Sequence, residues 1–187
     1  GDYASSPDSA AASITGSFEV VLDIAPEDWT PAATYYLLTK WESTGNNLSF
    51  IPWLAADGKI SLAISEDGIS NTGTSTSTIS TGFADGSRNR LKINFNAATS
   101  VVNFYYSTDT SVAIGDTVWT QLGDADISSA ASSVFDGTAQ VEVGAGDGGG
   151  IPFKGSIYRA QLYNGIDGTL AVDFNAADYV NRSSDTV

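Results

Sequence analysis

The residues that could do chemistry are few in kind. There is no cysteine and no histidine in 187 residues. That excludes disulfides, thiolate nucleophiles, a Ser-His-Asp triad and a His-ligated zinc site. Acid catalysis would fall to the carboxylates, and the glutamates are Glu19, Glu27, Glu42, Glu66 and Glu142. A glycosidase built on a β-sandwich places its acid and nucleophile on one strand, commonly as E-x-D-x-x-E. No pair here has that spacing. Glu19 and Asp23 share a strand face, which the outward side of a sheet explains more simply. The remaining chemistry is recognition. Carbohydrate sites stack sugar rings on exposed aromatics flanked by Asp, Asn and Gln. The aromatics available are Trp29, Trp41, Trp53 and Trp119, with Tyr36, Tyr105 and Tyr163. Trp53, Tyr105 and Trp119 are the expected glycan-binding residues, because Trp53 and Trp119 fall on the strand face opposite the main apolar set.

Charge narrows the partners. Twenty-two acidic residues against 8 basic ones give a net charge of -14. Such a field repels nucleic-acid phosphates. Much of the acid stands beside glycine, as in Asp57-Gly58, Asp67-Gly68, Asp85-Gly86, Asp136-Gly137 and Asp167-Gly168. These pairs are turn chemistry: glycine tolerates positive φ, and aspartate bonds nearby backbone. The loops carrying Asp57, Asp85 and Asp147 could also offer oxygen ligands to a structural calcium ion, although no EF-hand loop is present. The metal ligands are not specified by the sequence, and no other cofactor is required.

The elements that must position these residues repeat with period two. Phe18, Val20, Leu22 and Ile24 fall on one face, with Ser17, Glu19 and Asp23 on the other; Ile60, Leu62 and Ile64 alternate with small or polar residues, and Leu91, Ile93 and Phe95 with Arg90, Lys92 and Asn94. Val102, Phe104 and Tyr106 share a face, and Val141 and Val143 flank Glu142. Further strands are expected at 34–41, 47–54, 117–123, 154–163 and 169–174. The Ser/Thr-rich segment 71–81 reads as an exposed strand pairing with 59–65. Residues 144–150 (GAGDGGG) read as a mobile loop. The helical candidates are short: 9–12, 130–134 and 176–180. Hydrophobic residues make up 42% of the chain, enough for one domain with a real core. The expected organisation is one all-β, antiparallel sandwich domain over 1–179, then a polar tail or linker at 180–187. No apolar run approaches the ~20 residues of a membrane helix.

Three stretches carry a resemblance. DYASSPDSAAASITGSFEVVLDIAPEDW (2–29) resembles the opening of a concanavalin A-like, laminin-G-type (LamG) domain, ending at Asp28-Trp29-Thr30-Pro31. LLTKWESTGNNLSFIPWLAADGKISLAISEDG (37–68) is similar to the middle of that family, and FKGSIYRAQLYNGIDGTLAVDFN (153–175) to its ending. The resemblance implies a concanavalin A-like jelly roll with its termini close together. In that fold 153–175 is the closing seam: Tyr158, Ala160 and Leu162 would face the core, with Val172 and Phe174, while Arg159 on the other face pairs with a carboxylate. Segment 107–119 resembles an Asp-box hairpin with an insertion, so that hairpin is expected to be reshaped.

The D-W-T-P, T-K-W and G-I-D-G-T segments are similar to LamG-like domains of bacteriophage tail, fibre and head-decoration proteins. The resemblance implies a non-enzymatic, multicopy or oligomeric module on the virion surface, contacting other virion proteins and cell-surface polysaccharide. The alternative is a carbohydrate-binding module of a secreted bacterial protein. A jelly-roll glycosidase ranks behind both.

Overall fold

The computed structural model describes residues 3–127 and 130–178. The expected tail at 180–187 and the end of segment 176–180 lie outside them. Two antiparallel sheets face each other. The first runs β1 (Ala4–Ser6), β11 (Val141–Val143), β4 (Leu38–Glu42), β5 (Asn47–Leu54), β6 (Ile60–Ile64) and β7 (Gly73–Thr76), with β3 (Tyr35–Tyr36) also paired to β5. The second runs β10 (Thr120–Gln121), β9 (Val101–Ser107), β8 (Asn89–Asn96), β2 (Phe18–Pro26), β12 (Gly155–Asn164) and β13 (Thr169–Asn175). No described helix is long and apolar enough to cross a membrane.

Alternation creates the core. Phe18, Val20, Leu22 and Ile24 on β2 align with Phe95, Ile93, Leu91 and Asn89 on β8. Together with Phe104, Ala160 and Leu162 they meet Phe50, Leu54, Ile60, Leu62 and Val141 of the opposing sheet. Phe18 stacks between the sheets, its ring centroid 4.8 Å from Phe50 and 5.6 Å from Phe95. Trp29 is part of this core: its indole N–H donates to the Ser87 carbonyl (3.1 Å) and its backbone N–H to Asp85 (2.9 Å). The Ser/Thr-rich β7 pairs with β6 as expected, Ser61 against Thr76 and Ile64 against Gly73, but it spans only Gly73–Thr76 and is not exposed: Ser75 and, just beyond it, Ser77 are buried.

The closing seam holds with one correction. β12 pairs with β2 and β13, and a cleft lined by Ser5, Ser6, Val172 and Phe174 brings the N-terminal strand beside the C-terminal one. Arg159 forks onto Asp173 at 2.9 and 2.7 Å. Ala160 and Leu162 are fully buried, and Val172 and Phe174 pack against the core from its margin. Tyr158 does not face the core. A bulge between Ile157 and Arg159 removes it from the register, so Ile157 packs against the core. Tyr158 turns outward beneath the Arg88 guanidinium, 3.9 Å from its ring centroid. One extra residue breaks the period-two rule here, as irregularities also do at Leu162/Tyr163 and Lys40/Trp41.

The helical expectations fare worse. Residues 10–12 form a turn, 130–134 form no helix, and only Ala176–Asp178 makes a short 3-10 turn. Ala12, Ala131 and Val134 are instead buried in the core from irregular backbone. The expected strands 34–41 and 117–123 shorten to β3 plus β4 and to β10. Stretch 144–150 is a loop pinned at its neck, where the Gly146 N–H donates to the Gly150 carbonyl (3.0 Å).

Candidate functional site

The inward positions of the second sheet are apolar, so its outward positions carry the polar residues, and cross-strand register sets them in rows. One row reads Asn103, Asn94, Glu19, Tyr163, Leu170. The next reads Gln121, Tyr105, Lys92, Val21, Gln161, Asp173. The third reads Ser107, Arg90, Asp23, Arg159, Asn175. An outward polar face would ordinarily be wet. Here Glu19, Asp23, Arg90, Asn94 and Gln161 are all buried.

The cover is local. Residues 108–119, between β9 and β10, fold back over the face. Arg90 holds them there: its guanidinium donates to the carbonyls of Val112 (2.7 Å), Thr110 (3.3 Å) and Ala113 (3.5 Å) and to the Thr117 hydroxyl. Asp23 fixes the guanidinium from below (3.1 Å) and is itself forked by Arg88 at 2.6 and 2.9 Å. A 3-10 turn, Ile114–Asp116, shapes the loop, and Asp109 closes its start by accepting from the Ser111 N–H and hydroxyl. The Asp-box hairpin is thus reshaped into a flap, and Trp119 stands where the flap returns to the sheet.

Between the flap and the β12–β13 turn lies a cleft of about 270 Å3, lined among others by Glu19, Lys92, Gly115, Trp119, Tyr163 and Asp167. The Lys92 ammonium lies 5.0 Å from the Tyr105 ring centroid and 5.2 Å from that of Trp119. It stands 3.8 Å from Glu19 Oε2. Glu19 Oε2 and Asn94 Oδ1 are buried without a hydrogen-bond partner among the described residues. Burial pushes the Glu19 carboxyl above its ordinary range, and Lys92 offsets part of this. Tyr105 and Tyr163 are raised as well, first by burial and then by the negative charge of Glu19. The cleft lining offers the Lys92 cation, the Trp119 and Tyr163 rings and the unpartnered Glu19 Oε2, a set suited to a polyhydroxylated ligand.

Two of the three expected glycan residues, Tyr105 and Trp119, therefore come together. Trp53 does not join them. It sits on the outward face of the opposite sheet, in a shallow cleft with Tyr36, Trp41 and Ile51. Sequence reasoning passed over Lys92, Asn94 and Asp167, and read Glu19 as a solvated surface residue. The available signal was register: Glu19, Lys92 and Tyr105 occupy outward positions on neighbouring strands.

The acidic turns accept backbone hydrogen bonds, one within its own turn and two from distant segments. Asp57 accepts from the Lys59 N–H (3.2 Å), Asp85 from that of Trp29 (2.9 Å) and Asp147 from that of Ser43 (2.6 Å). Among the described residues no three acidic side chains gather closely enough to hold a metal ion.

No protein-family model matches the sequence, and no curated protein matches it. Solved structures do match in shape. The CBM40 module of the Ruminococcus gnavus IT-sialidase, bound to α2,3-sialyllactose, aligns over 84% of this chain and 80% of that one, with 15% identity and a TM-score of 0.53. The heptameric SAP-like pentraxin of Limulus polyphemus aligns over 87% of this chain and 76% of that one, at 15% identity and a TM-score of 0.53. The LG4-5 domains of the mouse laminin α1 chain align over 87% of this chain and 38% of that one, at 13% identity and a TM-score of 0.54. The fold is a concanavalin A/laminin-G-like jelly roll. In this jelly roll the cleft lies on the outward face of the sheet β10-β9-β8-β2-β12-β13, with the flap as one wall.

Proposed function

We propose that this jelly roll is a non-catalytic carbohydrate-binding module whose ligand enters the cleft between Trp119 and Tyr163. The observation that carries the reading is the Tyr105–Lys92–Trp119 stack beside Glu19 Oε2 and Asn94 Oδ1. A sugar ring would stack on Trp119, and a hydroxyl would donate to Glu19 Oε2 in the cleft wall. Buried acceptors left unpaired cost about 1–3 kcal/mol each, so a ligand that supplies donors gains that much in differential affinity. The sialyllactose-bound CBM40 supports the ligand class by likeness of fold. Asp23 cannot join Glu19 as a catalytic pair, because two arginines hold it. Structural calcium remains a proposal, carried into the test.

The test is a glycan array with the domain displayed multivalently, run with calcium and then with chelator, followed by titration of the best ligand. Trp119→Ala and Tyr105→Ala should each weaken binding at least about tenfold, a usual cost for truncating an aromatic anchor. Trp53→Ala should leave it unchanged. A blank array on folded protein, or full binding in both variants, overturns the reading. Release of reducing sugar that depends on Glu19 would replace it with a glycosidase. The virion-surface role is a second proposal, supported by the sequence likeness of segments 28–31, 39–41 and 165–169 to phage LamG-like domains. It requires this chain to appear in many copies in purified particles by mass spectrometry, and its absence there would discard it.

A further inference from the structure

We infer that a second pocket, on the outward face of the other sheet, receives a protonated amine of the kind carried by a 2-amino-2-deoxy sugar. The pocket is a cleft of about 390 Å3 where the chain after β1, the end of β4 and strand β11 meet, and its chemistry comes from Asp8, Trp41, Glu42, Gln140 and Glu142. Glu142 is the decisive residue. It sits between Val141 and Val143, which face the core, so its side chain is set on the opposite side of the sheet. It is nevertheless only 1% exposed. Its Oε1 accepts from Gln140 Nε2 at 2.8 Å, while Oε2 has no hydrogen-bond partner among the described residues.

Charge defines the missing group. Asp8 is engaged by the buried Lys40 ammonium at 2.8 Å. Glu42 and Glu142 have no ion-pair partner among the described residues. The pocket therefore holds two uncompensated carboxylates beside the Trp41 indole. A buried carboxylate without a counter-charge is costly, and a neutral hydroxyl relieves only its hydrogen bond. A metal ion would need more carboxylates gathered together than the described residues provide. An ammonium group supplies both charge and donors, and it is attracted to an indole face as well. The half-enclosed cleft and flat indole suit an amine borne on a sugar ring, which can stack while its amine reaches the floor. This pocket lies on the sheet opposite the Trp119 cleft, and the inference does not depend on that site.

The probe is chitotriose, fully deacetylated, against its N-acetylated counterpart, at slightly acid pH. Binding is followed by tryptophan fluorescence and by NMR shifts around Trp41. The deacetylated sugar should bind and the acetylated one should not. Glu142→Gln, which preserves shape, should weaken binding at least about tenfold, in line with loss of a charge-assisted hydrogen bond. Glu42→Gln should weaken it less, and Trp119→Ala should leave it intact. Circular dichroism of each variant reports folding, and Glu42→Gln keeps the test open should Glu142→Gln fail to fold. Equal affinity for the two sugars overturns the inference, as does no binding at all. Binding that survives both glutamate substitutions would assign the attraction to the general acidic field, and loss in Trp119→Ala would move it to the other cleft.

Discussion

Replacing Arg90 by lysine tests whether the flap is built as described. Lysine keeps the positive charge beside Asp23 but loses the planar fork. The wild-type guanidinium bonds Asp23 at 3.1 Å and at the same time reaches the carbonyls of Thr110, Val112 and Ala113 and the Thr117 hydroxyl. A single ammonium at the same site can hold Asp23 and about one of those acceptors. The carbonyl at 2.7 Å is a strong bond, those at 3.3 and 3.5 Å are weak, and part-exposed carbonyls recover water when released. Taking hydrogen bonds to a charged group at about 1.5–3 kcal/mol each and allowing for rehydration, the variant should lose about 2–4 kcal/mol. Asp23 keeps Arg88, so the loss should not grow to that of a bare buried charge. Urea denaturation gives the number, and hydrogen exchange over residues 110–117 should accelerate selectively. Binding at the Trp119 cleft should weaken about tenfold, because the flap no longer fixes the indole. The control is Arg159→Lys at the half-exposed Asp173 pair, which should cost no more than about 1 kcal/mol. A loss below about 0.5 kcal/mol in Arg90→Lys with unchanged exchange, or equal losses in the two variants, would refute the reasoning.

Glu19 should leave a signature in pH. Its folded-state value lies above its ordinary 4.5, chiefly through burial, so the folded chain holds that proton more tightly than the unfolded one. The stability it contributes is fully present below about pH 4.5 and is lost as pH rises through the raised folded value. Urea midpoints of the wild type relative to Glu19→Gln should therefore fall across that window, and parallel curves would contradict the burial. Gly155→Ala should damage the closing seam: φ is +133°, and an added Cβ would lie 2.2 Å from the Ala25 carbonyl oxygen and 2.7 Å from Pro26 Cα. Those are backbone obstacles, so a loss of about 3 kcal/mol or more is expected in urea denaturation. Gly82→Ala, also at positive φ (+65°) but with nothing within 4 Å, should cost only about 1 kcal/mol, and a similar cost at both sites would dismiss the steric account.

The sandwich was legible where one rule governed each strand. β2, β6 and, from Leu91, β8 keep an apolar residue at every second position, and each forms where the pattern places it. Where a second rule entered, the pattern misled. Tyr158 lies in phase with Ala160 and Leu162, yet a bulge turns it out to meet Arg88. The alanines at 9–12 and 130–134 favour helix locally, but so few residues cannot repay helix nucleation. Burial of Ala12, Ala131 and Val134 in the core decides their backbone instead.

The candidate site was half legible for a related reason. Tyr105 and Trp119 stand out by type, whereas Glu19, Lys92 and Asn94 look like the solvated side of a strand. What makes them otherwise is the flap, a property of residues 108–119 that no local pattern announces. Once the flap is down, the polar side of the sheet becomes an interior. Interiors bind their polar groups to partners almost without exception. Asp23 and Arg90 obey, each held by several bonds, and they serve as the hinge pin of the cover. Glu19 Oε2 and Asn94 Oδ1 do not obey, and they lie in one cross-strand row beside the Lys92 stack. The same contrast recurs on the opposite sheet between Asp8, which Lys40 satisfies, and Glu142, whose Oε1 accepts from Gln140 but whose Oε2 has no hydrogen-bond partner among the described residues. A structural polar network would close itself in both places. Glu19 Oε2 and Glu142 Oε2 each stay open beside an aromatic ring and a cleft, and that conjunction is the physical reason to read both as places for a ligand.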